Sequence, residues 1–193
     1  DWIDVSGTGT GDSDYVEASS GNDTVIAGSG NDVVLAGSGT DSIVLGDGAD
    51  SVLLILDQGG VDTINMGTGS DTVSAAADTG GVYAFFSGTD TDGDYVLSGS
   101  GADTIVLNSG HDTVFAGKGS DTVAAGAGNN VVDLGSGADT VTALEGADSV
   151  YGGADGVADR YELGAGSDTV YAGTGDDWID VSGTGTGDSD YVE

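Results

Sequence analysis

The chain contains no cysteine and no proline, one histidine and only two basic residues, Lys118 and Arg160. Without cysteine there is neither a disulfide framework nor a thiolate metal site, and a single histidine cannot furnish a zinc cage. The 38 glycines follow no three-residue period and have no proline beside them, which excludes a collagen helix. Two cations cannot pair with 34 Asp and Glu, so a formal charge of −32 has no neutralising partner inside the chain. The same charge repels phosphate backbones and excludes nucleic acid as a partner. No stretch reaches the ~20 apolar residues of a membrane-spanning helix.

What the chain does contain is regular. Hydrophobic residues make up 37%, with valine evenly spaced, far above what a disordered acidic chain carries. Such a chain buries apolar surface, and metal cations are the remaining way to neutralise its carboxylates. Residues 1–17, DWIDVSGTGTGDSDYVE, recur without change as residues 177–193, a period of 176 residues. The expected organisation is one continuous domain over 1–193, with one repeat at 1–176 and the start of the next at 177–193.

Inside that unit runs a nine-residue period, plain in GSGNDVVLA (28–36), GSGTDSIVL (37–45) and GDGADSVLL (46–54). The spacing G-x-G-x-D occurs nine times, ending at Asp32, Asp41, Asp50, Asp71, Asp103, Asp121, Asp139, Asp168 and Asp177. Val or Ile follows two residues after each. Tracing that apolar residue through the irregular parts gives 18 steps per unit, with extra residues before positions 14, 62, 81, 94 and 159. Gly81 and Asn130 stand where the other steps have Asp.

Each step splits into a glycine-rich turn and a short run such as D-T-V-x-A. Threonine, valine and isoleucine suit a pleated surface, so the run predicts a strand. Alternation then points the residues two and four after Asp inward, and both columns are apolar. One strand cannot bury a face alone. Two nine-residue steps close one coil, and stacked coils build two sheets of parallel strands ~4.8 Å apart. The expected fold is all-β, a parallel β-roll (β-solenoid) of about nine coils per 176-residue unit. Eighteen is even, so the unit returns to the same face and a rod continues through the repeat. The aromatics Trp2, Tyr83, Phe85, Phe86, Tyr95 and Tyr161 gather near the inserted steps, where they are expected to plug a widened core.

In such a stack, Asp residues of alternate steps lie one above another and form files of like charge. A hard divalent cation with six to eight oxygen ligands relieves this, and Ca²⁺ accepts backbone carbonyls as readily as carboxylates. Mg²⁺ wants a smaller, near-octahedral, hydrated site.

These segments resemble the repeats-in-toxin (RTX) nonapeptide G-G-x-G-x-D-x-U-x, where U is a large apolar residue. The resemblance implies multiple Ca²⁺ held by the turns between coils, with Asp as side-chain ligand. Carried over by position, it nominates Asp23, Asp32, Asp41, Asp50, Asp62, Asp71, Asp103, Asp112, Asp121, Asp139, Asp148, Asp168 and Asp177. Asp14, Asp94 and Asp159, and beyond them Asp1 and Asp190, hold the same position in irregular turns. The first Gly of the motif is usually Ala or Leu here. The resemblance also implies a bacterial protein exported unfolded through a one-step secretion channel, which folds in calcium-rich surroundings outside the cell or on its surface.

No catalytic residue is expected. His111 is the only histidine and sits in a turn, and carboxylates are too numerous to single out a pair. The expected function is a structural rod module of a tandem-repeat fibre, surface layer or adhesin stalk, with itself as partner. Two alternatives are an ice-binding RTX adhesin region and the calcium-binding folding tail of a secreted enzyme. The ice-binding reading is disfavoured by the mixed outward turn positions Ser29, Ser38, Asp47, Thr68, Lys118 and Ala127. Three residues after Asp, alternate steps carry Leu35, Leu53, Leu97 and Phe115 on the outward face, with Ser74 interrupting the file. This file is a candidate for lateral packing between rods.

Overall fold

The structure, a computed structural model, describes residues 1–7, 11–54, 60–76, 79–85, 91–183 and 188–193, with Tyr83 and Phe85 as backbone alone. Among these residues every element is a strand, and no helix long and apolar enough to cross a membrane occurs. The first sheet holds ten strands, from Trp2–Asp4 and Thr24–Ser29 through Val61–Thr68 and Gly81–Phe85 to Arg160–Glu162 and Trp178–Asp180. The second holds the other ten, from Tyr15–Glu17 and Val33–Leu35 to Thr169–Tyr171 and Tyr191–Val192. Successive strands alternate between the sheets and neighbours pair in parallel, so two steps close one coil of a β-solenoid of about nine turns.

Each pairing sets equivalent residues of consecutive coils side by side. Thr24 lies against Ser42 and then Thr63, and Tyr15 against Val33. The ladder continues into the turns, where the Thr24 amide donates to the Asp1 carbonyl at 2.9 Å and the Ser42 amide to Asp23 at 2.8 Å. Residues two and four after Asp face inward as the alternation requires. Val34, Val52, Ile64, Val73, Ile105 and Val132 are buried in the first column, with Ala36, Leu45, Met66, Leu134 and Ala143 in the second. The core is a single apolar seam between the two sheets.

The register differs from expectation at one step. The residue opposite Asp62 is Val82, not Gly81, and Ala84 lies opposite Ile64 and Ile105. A one-residue slip exchanges the two faces of a strand. This choice buries Val82 in the Asp slot between Asp62 and Asp103, and Ala84 between Ile64 and Ile105.

Among the described side chains expected to plug the core, Tyr161 alone does so. It is fully buried, and Gly152 makes room for it: a Cβ there would stand 1.7 Å from the Tyr161 hydroxyl. Trp2 and Tyr95, expected in the core, lie on outer faces at 69% and 40% exposure. Each directly follows an anchor, Asp1 or Asp94, and alternation sends such residues outward. Phe86 and the side chains of Tyr83 and Phe85 lie outside the described residues.

Candidate metal centre

The turns between strands are shaped by their glycines. Gly46 and Gly48 have φ of 122° and 144°, a region closed to most side chains. A Cβ on either would meet the carbonyl oxygen of the coil before it, at 1.7 Å from Gly28 O and 1.8 Å from Gly30 O. Both glycines of G-x-G-x-D are therefore needed because backbone carbonyls of the adjacent coil close onto them. Along each edge of the roll, the turns carry these carbonyls in a file.

The Asp that follows completes each turn. In the first file, the Asp23 amide donates to Asp41 Oδ1 at 2.8 Å, Asp41 to Asp62 at 2.7 Å and Asp103 to Asp121 at 2.9 Å. The file continues through Asp139, Asp159 and Asp177 with 2.8–2.9 Å contacts. The second file runs Asp14, Asp32, Asp50, Asp71, Asp94 and Asp112, then Asn130, Asp148, Asp168 and Asp190, at 2.8–3.0 Å throughout. Each carboxylate thus reaches back to the backbone of the preceding coil. The structure brings the thirteen Asp residues of the regular turns, with Asp14, Asp94 and Asp159, into these two files. Fourteen are buried, and Asp14 and Asp177 are half-buried. Val82 interrupts the first file, donating its amide to Asp103 Oδ1 at 2.7 Å but offering no oxygen itself.

This contact accounts for one carboxylate oxygen of each Asp. The Oδ2 atoms of Asp23, Asp32, Asp50, Asp121, Asp139, Asp148 and Asp168 are buried without a hydrogen-bond partner. Burying a charged oxygen so is costly unless a proton or a cation meets it. Burial accordingly pushes Asp121 up to about 7 and Asp50, Asp139 and Asp148 up to about 6, against the lowering effect of the backbone hydrogen bond. Neighbouring carboxylates of the same file add to the rise. Asp159 and Asp168 shift the same way for the same reason. At Asp159 the Tyr161 hydroxyl lies 3.2 Å from Oδ2 and 3.3 Å from the Ala172 carbonyl, so it can donate to either.

Among the described residues no three His, Asp or Glu side chains gather around one point. A cation in these turns must draw on backbone carbonyls as well as carboxylates. An all-oxygen set of that kind suits Ca²⁺ and is wrong for zinc. The orphaned oxygens and the carbonyl-lined glycine turns fit calcium.

One further feature escaped the sequence reading. The residue before the anchor often caps the next coil: Asn22, Asn31 and Asn129 Oδ1 accept from the amides of Thr40, Ala49 and Ala147 at 2.8–3.1 Å. The recurrent Asn-Asp pairs at 22–23 and 31–32 were the available signal. His111 occupies the same position, and its Nδ1 accepts from the Asn129 amide at 3.0 Å. On the outer face of the second sheet, Leu35, Leu53, Ser74, Leu97 and Phe115 form one column in register. Tyr95 leans on Phe115 with ring centroids 5.9 Å apart. Beyond Asp133 the column continues with Tyr151 and Tyr171, stacked at 5.2 Å.

A family model described as RTX calcium-binding nonapeptide repeat (4 copies) matches residues 8–43, 17–52, 89–123, 97–132, 124–157 and 155–183. These repeats bind calcium, and matches along the chain mean multiple Ca²⁺. Neither the curated proteins nor the solved structures contain a significant match. The carboxylate files, the glycine turns and the family match agree: the chain belongs to the RTX calcium-binding nonapeptide repeat family.

Proposed function

We propose that this chain is a calcium-stabilised rod, a non-catalytic module of a tandem-repeat protein. It stands outside the bacterial cell in a fibre, surface layer or adhesin stalk. Its ligands are the Asp residues of the two files, from Asp14 and Asp23 to Asp168 and Asp177, together with turn carbonyls. RTX repeat proteins are typically secreted bacterial proteins, which supports the extracellular setting.

The observation that carries this reading is the environment of the duplicated segment. Trp2–Asp4 and its copy Trp178–Asp180 both lie in the first sheet, and Tyr15–Glu17 and Tyr191–Val192 both lie in the second. The first copy pairs with Thr24–Ile26 on one side, and the second with Arg160–Glu162 on the other. There the Arg160 guanidinium covers the Trp178 ring at 3.9 Å and pairs with Glu162. Between them, the two copies display both neighbours that this segment has in a running array. The repeat thus spans a whole number of coils, and successive units add length without a hinge.

A chain of two units in calcium, measured by small-angle scattering, should be one rod longer than a single unit by about 43 Å, nine coils at ~4.8 Å. Two bodies joined by a flexible hinge would contradict the reading. The mixed turn edge Ser100, Lys118 and Ser136 supports a rod over an ice-binding face, which needs a uniform ladder. The file of Leu35, Leu53, Leu97 and Phe115 is the surface for lateral packing. Sedimentation at high calcium should show association that Leu53→Glu abolishes, and a strictly monomeric rod would remove that part of the proposal.

A further inference from the structure

We infer that Asn130 makes a cation-free turn in the second carboxylate file, its side-chain amide standing where calcium stands in the other turns. The inference rests on the reading of the Asp files as calcium ligands and concerns the one slot in the second file that departs from them.

Asn130 is 1% exposed and sits in the Asp slot in every backbone respect. Its Oδ1 accepts from the Asp112 amide at 3.0 Å, and its own amide donates to Asp148 Oδ1 at 2.9 Å. Those contacts are the ones that Asp121 and Asp139 make in the first file. They fix the side chain, so Asn130 Nδ2 takes the place that Oδ2 takes in an Asp turn. From there it donates to the Gly128 carbonyl at 3.2 Å. An oxygen in that place would meet the glycine carbonyl acceptor against acceptor, and only a cation or a proton between them would relieve it. At Asp121, Asp139, Asp148 and Asp168 this oxygen is buried with no hydrogen-bond partner.

The amide orientation is dictated by its surroundings. Reversing it would set the NH₂ group against the Asp112 N–H and the oxygen against the Gly128 carbonyl, losing both bonds.

The same coils are joined by two more neutral contacts. His111 Nδ1 accepts from the Asn129 amide at 3.0 Å, and Asn129 Oδ1 accepts from the Ala147 amide at 2.8 Å. Residues 111, 129 and 130 together form a clip of imidazole and amide groups across three coils, in which Asn130 alone occupies a slot of the carboxylate file. Val82 breaks the first file differently, since it supplies neither an oxygen for a cation nor a donor in its place. The Asn130 turn is complete without metal.

The test compares wild type, Asn130→Asp and Asp139→Asn in the full chain. Bound calcium is counted by equilibrium dialysis and elemental analysis at saturating calcium, with far-ultraviolet circular dichroism as the measure of folding. Asn130→Asp should bind at least one more Ca²⁺ per chain than wild type. Asp139→Asn, given the Asn130 arrangement with Gly137 as acceptor, should keep the β signal and bind at least one fewer. A folded Asn130→Asp chain with an unchanged count would overturn the inference. If that variant fails to fold, Asp139→Asn decides: a folded chain with fewer ions supports the amide as a stand-in, while an unchanged count or a loss of fold refutes it. A wild-type chain that binds no calcium would instead refute the metal reading itself, an outcome distinguishable from all of these.

Discussion

From Asp94 to Asp148 the roll advances in uniform nine-residue steps, whereas between Asp50 and Asp94 the anchors fall at 62, 71 and 82, with three of the four steps lengthened. The sheets hardly register the difference. Val61–Thr68, just after an insertion, is an eight-residue strand that stays in register with Ser42–Asp47 over five residues. Asp41 still reaches Asp62, Asp50 still reaches Asp71 and Asp71 still reaches Asp94, at 2.7–2.9 Å. Coil closure therefore depends on strand pairing and on the Asp-to-backbone contact, and not on the length of the turn. What the irregular region loses is a carboxylate, at Val82.

That contrast can be broken at the glycines. Gly119, in a uniform turn, has φ 136°, and a Cβ there would stand 1.5 Å from the Gly101 carbonyl oxygen. Gly156, in the lengthened turn before Asp159, has φ 80° and nothing within 4 Å. Gly119→Ala should cost more than ~4 kcal/mol, because backbone must move and no flexible side chain can yield. Gly156→Ala should cost about 1 kcal/mol, the penalty of the left-handed conformation alone. Urea unfolding in saturating calcium measures both, and equal losses would mean that turn length governs the coil after all.

A smaller effect follows from the buried carboxylates of the uniform region. Asp121 is pushed up to about 7 and Asp139 and Asp148 to about 6, above the ordinary value of 3.8. A folded-state pKa raised above the unfolded one stabilises the metal-free fold below pH ~4, and that stability is lost as pH rises through 6 to 7. Calcium needs the same groups deprotonated. The unfolded chain already has them so between pH 5.5 and 8, so the calcium concentration at half-folding should fall as pH falls from 8 to 5.5, because protonation stabilises the metal-free fold, whose β content should be highest near pH 4. A pH-independent calcium midpoint would contradict the burial of these oxygens.

The smallest effect concerns Ser19, a non-glycine residue at φ 78° in the place where the following turns have Gly28 and Gly37. Ser19→Gly should stabilise the calcium-loaded chain by about 1 kcal/mol, read as a higher midpoint in thermal unfolding. No gain would show that the Ser19 side chain compensates for its backbone.

The uniform coils were legible because the signal is repeated: Asp, then apolar residues two and four places on, leaves one pairing that buries both columns. The even step count likewise placed Trp2 and Trp178 in one sheet. Where an insertion intervenes, the period no longer says which of two adjacent residues faces inward, and Val82 rather than Gly81 took the slot because it buries better. The stack of Tyr151 on Tyr171 spans the insertion before Asp159, yet each lies three residues after an anchor, Asp148 and Asp168, so the traced period already had them in register. Tyr161, two residues after Asp159, was legible as inward, whereas the room that Gly152 leaves for its ring is a relation between residues that no single period contains. In the metal files the Asp positions were readable. The amide contacts of Asn129 and Asn130 were not, since they depend on which carbonyl or amide the neighbouring coil presents.

The most direct test of the account is a calcium titration of the metal-free chain at pH 7.5, followed by circular dichroism with magnesium as control. With carboxylates this crowded and their second oxygens buried, the chain without metal should be largely disordered and should fold cooperatively with calcium and not with magnesium. A chain already in β form without metal, unchanged by calcium, would contradict it.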